Sequence, residues 1–432
     1  MCRRSLGVAP PRRRRSRIMK LGGLARHRRT LAGISVLALV GALGASACSS
    51  DDTSSNSAIA GASTTSLPDN PASGTPVKIG FVSTEGGAVV SIPEMRQGAE
   101  AAVQYVNKNA GGLAGHPIDL VVCKQQEEPT SATKCANELV EQKVAAVLSP
   151  GTSQGAAIVP IVAGAGIPYV TLNGVSQVEL TSPESSSLSA GLPGSITAMA
   201  QAAKKQNMKT FTIFASDGGG IGAMINAMGA PIFQGAGVDL KVVPIALGVP
   251  DPTPLVTSGL SAKPDGVSVI ADAGTCTSVY KAIQTADPNV QKVYIPTCLD
   301  PSVTNIIGMD TVKGSIGITA TDYLSDRPDS VLYRSVLQQY AKDLNVTGAA
   351  SSGYQLVMAL VGATKNLQGQ ADAASIKQAL KAAQNVEMPA GGGITFTCNG
   401  TAVPQMPSIC SHQMLIGTIN DKGVPVDLQV TG

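Results

Sequence analysis

From Val77 onward, short apolar runs rich in β-branched residues alternate with helix-length stretches, and few folds accept that alternation. VKIGFVS (77–83), IDLVVC (118–123), AAVLS (145–149) and PYVTL (168–172) each have strand length and strand composition. The stretch after the first run places Met95, Ala99, Ala102, Val103 and Val106 on one helical face, and Gly111, Gly112 and Gly115 end it. Further helices are predicted over 130–143 and from about 153. Strands separated by single helices predict a parallel sheet built from right-handed crossovers.

The rhythm then repeats without a close sequence repeat. A helix over 195–207 leads into TFTIFAS (210–216), LKVVPIA (240–246), GVSVIA (266–271), VYIP (293–296) and SIGITA (315–320), with helices between them. Three more helical segments are predicted over 330–344, 354–366 and 375–383. The late strands ITFTC (394–398) and HQMLIGTI (412–419) follow. The chain is therefore expected to be α/β, with two Rossmann-like lobes of parallel sheet.

The first residues belong to another category. Arg26, Arg28 and Arg29 precede 31–45, which carries no charge, and Ala45-Ser46-Ala47 follows. A basic start, an apolar core and small residues form a secretory signal peptide. Its apolar run is short of the roughly 20 residues that span a bilayer. Of 32 Lys and Arg, 11 lie in residues 1–47, which hold no Asp or Glu; the remaining 385 residues carry 21 basic and 29 acidic side chains, formally −8. Nucleic acid is not an expected partner of such a chain. Met19 is a second candidate start.

A cysteine in the first mature position, Cys48, resembles the bacterial lipoprotein signal. That resemblance implies cleavage before Cys48, lipidation of it, and an anchor on the extracytoplasmic face of the cell membrane. Residues 48–76 are dominated by Ser, Thr, Asp, Pro and Gly and are expected to form a disordered tether. The body after it is too long for one core, which predicts two domains. With 3% aromatic residues and no Trp, that core rests on Ala, Val, Ile and Leu.

Six further cysteines lie beyond the leader: Cys123, Cys135, Cys276, Cys298, Cys398 and Cys410. An even number in an exported chain predicts disulfides, and sequence proximity favours 123–135, 276–298 and 398–410 among fifteen connectivities. No C-x-x-C occurs, so neither a zinc site nor any other metal or cofactor is expected.

Ligands of open parallel sheets sit at the carboxyl ends of the strands. Three such ends are rich in hydroxyls and glycine: Ser83-Thr84-Glu85-Gly86-Gly87, Pro150-Gly151-Thr152-Ser153 and Asn173-Gly174-Val175-Ser176. A helix opening near Ser153 would aim its amides at an anion. Each Ser or Thr also suits a plain helix cap. Gly151-Thr152-Ser153-Gln154-Gly155 fits the G-x-S-x-G nucleophile elbow, with His412 downstream, which makes a secreted serine hydrolase an alternative. Gly218-Gly219-Gly220-Ile221-Gly222-Ala223 fits G-x-G-x-x-A, but Asp239 starts the next strand instead of ending it, which favours a tight turn over dinucleotide binding.

VKIGFVSTEGG, Gly98-x-x-x-Ala102-x-x-x-x-Asn107, Gly111-Gly112-Leu113-Ala114-Gly115, IDLVV and AAVLSPGTSQGAAIVPIVAGAGIPYVT together resemble the type I periplasmic binding proteins. The leucine/isoleucine/valine-binding proteins of ABC importers are the most similar group. The resemblance implies two lobes joined by crossovers, with a hinge that closes over a small ligand. It implies a first lobe of 77–194 plus about 322–392 and a second of 195–321 plus about 393–432. The family's carboxylate loop corresponds to Thr152 and Ser153, and its next loop to Gly174 and Ser176. Its second-lobe aromatic and acidic residues correspond to Ile221 and Thr297. Thr84, Asn173 and Thr275 complete the candidate ligand set.

The expected function is that of a monomeric solute-binding lipoprotein without catalysis, delivering an amino acid, amide or carboxylate to an ABC permease. A ligand-sensing receptor for a signalling partner is the alternative.

Overall fold

A computed structural model describes residues 59–87, 90–217, 221–246 and 248–431. Cys48 and the leader lie outside them, as do Gly218, Gly219 and Gly220. In chain order the elements are β1 (Val77–Thr84), α1 (Pro93–Asn109), β2 (Ile118–Gln125), α2 (Pro129–Glu141), β3 (Val147–Ser149), α3 (Gly155–Gly164), β4 (Tyr169–Thr171), α4 (Gln177–Thr181) and β5 (Ser185–Ser187). Next come α5 (Gly191–Lys205), β6 (Thr210–Asp217), α6 (Ile221–Ala236), β7 (Asp239–Ala246), α7 (Thr253–Leu260), β8 (Gly266–Ile270), α8 (Ala273–Ala286) and β9 (Gln291–Tyr294). They are followed by α9 (Pro301–Ile307), α10 (Met309–Val312), β10 (Ile316–Thr319), α11 (Pro328–Tyr340), α12 (Ala350–Ala363) and α13 (Ala373–Ala382). The short pair β11 (Val386–Glu387) and β12 (Thr395–Phe396) precedes β13 (Leu415–Ile419) and β14 (Pro425–Val430).

Two sheets result. The first runs β2-β1-β3-β4-β5 and is wholly parallel. The second runs β14-β13-β10-β9-β8-β6-β7, parallel from β10 to β7, with β13 and β14 added antiparallel. Each sheet has its own core of aliphatic and small residues. Cys123 bonds Cys135, Cys276 bonds Cys298, and Cys398 bonds Cys410.

The chain passes between the lobes three times. Leu188 packs in the first core and Ala190 in the second. After β10 the chain returns, and α11, α12 and α13 add Tyr333, Tyr354 and Ile376 to the first core. Ile394 and Phe396 still belong to that core, and Met414 belongs to the second. The first and last passages run side by side: the Ser187 N–H donates to Ser408 O at 2.8 Å, and the Cys410 N–H to Ser187 O at 2.8 Å.

Helix α1 buries a wider face than its spacing predicts. Ala99, Ala102, Val103 and Val106 are buried, and so are Gly98, Ala101 and Tyr105. Helices α11 and α12 pack against α1, as do strands β1 and β2. Strand β5 is three serines, with no apolar signal to reveal it; pairing with β4 makes it a strand. Strand β14 opens with a proline, as an edge strand tolerates.

The tether expected over 48–76 is fixed from Ile59 onward. Ile59 and Leu67 pack against the first core. The Arg334 guanidinium donates to Gly61 O at 2.9 Å, and the Asn109 amide to Pro68 O at 2.6 Å. Backbone N–H groups of Ala72 and Gly74 donate to Asn107 O and Gly115 O. A polar segment can be held this way because backbone donors and acceptors need no apolar side chain.

Candidate functional site

The candidate residues of the first lobe gather at the carboxyl edge of its sheet. Thr84 ends β1 beside Gln125, which ends β2 in the same register. Thr152 and Ser153 follow β3. Between them stands a residue that the sequence did not single out, Glu127. Its Oε1 accepts the Thr84 hydroxyl at 2.9 Å, the Gln125 amide at 2.6 Å and the Thr152 hydroxyl at 2.8 Å. Its Oε2 accepts the Ser153 N–H at 3.1 Å and the Ser153 hydroxyl.

Glu127 has a left-handed backbone, φ 57°, which is uncommon outside glycine. Its own N–H donates to Gln125 Oε1 at 2.6 Å, which helps hold that conformation. Burial raises the pKa of its carboxyl, but hydrogen bonds from Ser153, Gln125, Thr152 and Thr84 outweigh this and leave it below the usual range. It is therefore an anion in a cradle of five donors.

The adjacent loop is organised in the same way. Glu179 is fully buried, and its Oε2 accepts the Val175 N–H at 3.1 Å, the Ser176 N–H at 2.9 Å and the Ser176 hydroxyl at 2.8 Å. The Tyr169 hydroxyl donates to its other oxygen at 2.9 Å. Ser176 and Glu179 form a capping box on α4. Gly155 is required there, because a Cβ would lie 2.1 Å from the Glu179 carboxyl carbon. Gly174 is buried, and its N–H donates to Ser187 Oγ at 3.1 Å. Asn173 is exposed, and its Oδ1 accepts the Ser189 hydroxyl at 2.6 Å, at the first passage between lobes.

Glu85, one residue past Thr84, anchors this edge. Arg96 Nε lies 2.5 Å and Lys124 Nζ 3.0 Å from its carboxylate. It is 7% exposed, and both partners lie on neighbouring elements.

In the second lobe, Thr275 donates its N–H and hydroxyl to Asp272 at 3.0 and 2.7 Å, capping α8. Ile221 opens α6 and is 40% exposed. Thr297 is exposed in the turn after β9, next to the buried Cys298. These three sit at the carboxyl edge of the second sheet and are not joined by hydrogen bonds to the first-lobe set among the described residues.

A nucleophile elbow needs a histidine on the serine. Ser153 Oγ instead donates to Glu127 and accepts the Gln154 amide at 2.8 Å. His412 lines a different cavity of about 690 Å³ with Asn385, Thr397, Asn399 and Gln413, beside the Cys398–Cys410 bridge. No group of His, Cys, Asp and Glu suited to a metal occurs among the described residues, and none of their helices is long and apolar enough to cross a membrane.

Glu179 was legible in the sequence, since Ser176-x-x-Glu179 is a capping-box pattern. Glu127 had only a weak signal: a polar strand end, Gln125-Gln126-Glu127-Glu128, before the proline that opens α2.

A sequence model of the family described as periplasmic binding protein matches residues 76–423. Solved structures share the fold. The leucine-binding protein LivK of Thermotoga maritima is 18% identical, with a TM-score of 0.64, over 82% of this chain and 98% of that one. The branched-chain amino acid transporter substrate-binding protein LivJ of Streptococcus pneumoniae, in complex with isoleucine, is 17% identical, with a TM-score of 0.65, over 83% and 99%. A solute-binding protein of an ABC transporter from R. palustris, in complex with 4-hydroxybenzoate, is 17% identical, with a TM-score of 0.65, over 80% and 93%. No curated protein matches the chain.

Proposed function

Because the chain belongs to the periplasmic binding protein family, we propose that it is an extracytoplasmic solute-binding lipoprotein. It captures a small polar solute (an amino acid, an amide or a carboxylate) and presents it to an ABC permease. The carrying observation is the pair of polar strand-end loops, Gly151–Ser153 and Asn173–Ser176, side by side at the carboxyl edge of a parallel sheet, in a chain with a second such sheet. Ligands of open α/β sheets sit at that edge.

Capture would proceed by hinge closure about the three passages near Leu188, Ala320 and Cys410. The loops carrying Ile221, Thr275 and Thr297 would then come onto a solute held by the first lobe. The family assignment supports binding without catalysis, and the Ser153 hydroxyl donates to Glu127 rather than to the histidine that a nucleophile elbow uses. Lipidation at Cys48 would keep the body at the membrane, with the segment before Ile59 as the tether and the protein acting as a monomer.

A thermal-shift panel of amino acids, amides, carboxylates and sugars tests this. A solute at 100 times its Kd adds about 2.7 kcal/mol to stability. At least one small polar solute is expected to raise the melting temperature saturably. A folded protein that none of them stabilises would count against solute binding.

A further inference from the structure

We infer that Glu127 is a resident occupant of the first lobe's anion cradle and sets the solute class by excluding free carboxylates from it. This inference deepens the solute-binding role proposed above and rests on it. Thr84 Oγ1, Gln125 Nε2, Thr152 Oγ1, Ser153 N and Ser153 Oγ come from the ends of three adjacent strands and converge on one carboxylate. Donors in that arrangement fit any carboxylate, and here the protein supplies its own.

Three features make the occupant resident. Its charge is held by the donors around it. Its backbone adopts the left-handed conformation, and its neighbour Gln125 grips both its N–H and its Oε1. An incoming carboxylate would have to share these donors with a like charge a few ångströms away, which is strongly unfavourable. The neighbouring donor loop offers no substitute, because Glu179 already takes the Val175 and Ser176 donors. Like charge set against the wrong ligand is a common source of specificity. Of the solutes named above this keeps the amide, together with other neutral polar or amine-bearing molecules, and removes amino acids and free carboxylates.

Acetate is the probe. Glu127→Gly removes the carboxylate and suits the left-handed backbone, so it separates loss of the occupant from backbone strain. Glu127→Ala removes the same group but keeps the strain. In the full chain, sodium acetate should raise the melting temperature of Glu127→Gly saturably over sodium chloride at equal ionic strength. Its half-saturation should lie at least tenfold below any acetate effect on the wild type. Glu127→Ala should respond in the same way from a lower starting stability. Acetate that stabilises neither variant, or stabilises the wild type equally, overturns the inference. The two failures are distinguishable: a wild type that no solute stabilises would sink the binding function while leaving acetate rescue of the variants intact.

Discussion

Glu127 Oε2 accepts both the backbone N–H of Ser153, at 3.1 Å, and that residue's hydroxyl. One side chain thus satisfies the opening of the loop after β3 and ties it to the end of β2. The two loops that would meet a solute are fixed from within, by Glu127 and Glu179.

Acid should loosen this edge through Glu85. Burial works against its charge, but hydrogen bonds from Arg96, Lys124 and Ser83 outweigh this and hold its pKa down at about 2. A carboxyl whose folded value lies below its unfolded value adds stability that is fully present above the unfolded value, near about 4.3, and is lost as pH falls toward 2. The shift corresponds to about 3 kcal/mol. Urea midpoints measured from pH 6 to pH 2 should fall for the wild type and fall less steeply for Glu85→Gln. Equal slopes would show that Glu85 does not carry the effect.

Helices α1 and α12 approach so closely that a methyl group cannot enter between them. A Cβ on Gly353 would lie 1.7 Å from Met95 O, and one on Gly98 would lie 2.0 Å from Ala350 O. Gly353→Ala should cost about 1–3 kcal/mol or more, as overpacking does. Gly235, inside α6 with nothing within 4 Å, is the control; its alanine variant should be neutral or gain up to about 1 kcal/mol. Similar denaturation midpoints for the two variants would contradict the close crossing.

Arg334 is 1% exposed, and its guanidinium donates to Gly61 O, Tyr323 O and Ser325 O at 2.8–2.9 Å. Arg334→Met keeps much of the packing but leaves three carbonyls without that donor. Hydrogen exchange should then rise in the segment around 59–63 before it rises in the strands, and the protein should lose about 2–4 kcal/mol. Unchanged exchange in that segment would mean that other contacts hold it.

Most strands of both sheets were legible, β5 and β14 excepted, because apolar β-branched runs mark buried parallel strands whatever surrounds them. VKIGFVS and TFTIFAS correspond to β1 and β6. The elements that escaped notice lack that mark: Ser185–Ser187 becomes a strand only through its neighbour, and 59–76 is held by backbone hydrogen bonds that composition does not encode. Thr84, Thr152, Ser153 and Ser176 stood out as hydroxyls at strand ends. The shared partner of the first three did not, because Glu127 reaches Ser153 across 26 residues of chain, and only the fold brings such pairs together.

Small-angle X-ray scattering, with and without the solute that gives the largest melting shift, reads out whether the two lobes close on it. Closure of two lobes about three passages predicts a smaller radius of gyration at saturation, reversed when the solute is dialysed away. A solute that binds with one-to-one stoichiometry and leaves the radius of gyration unchanged would contradict capture by hinge closure.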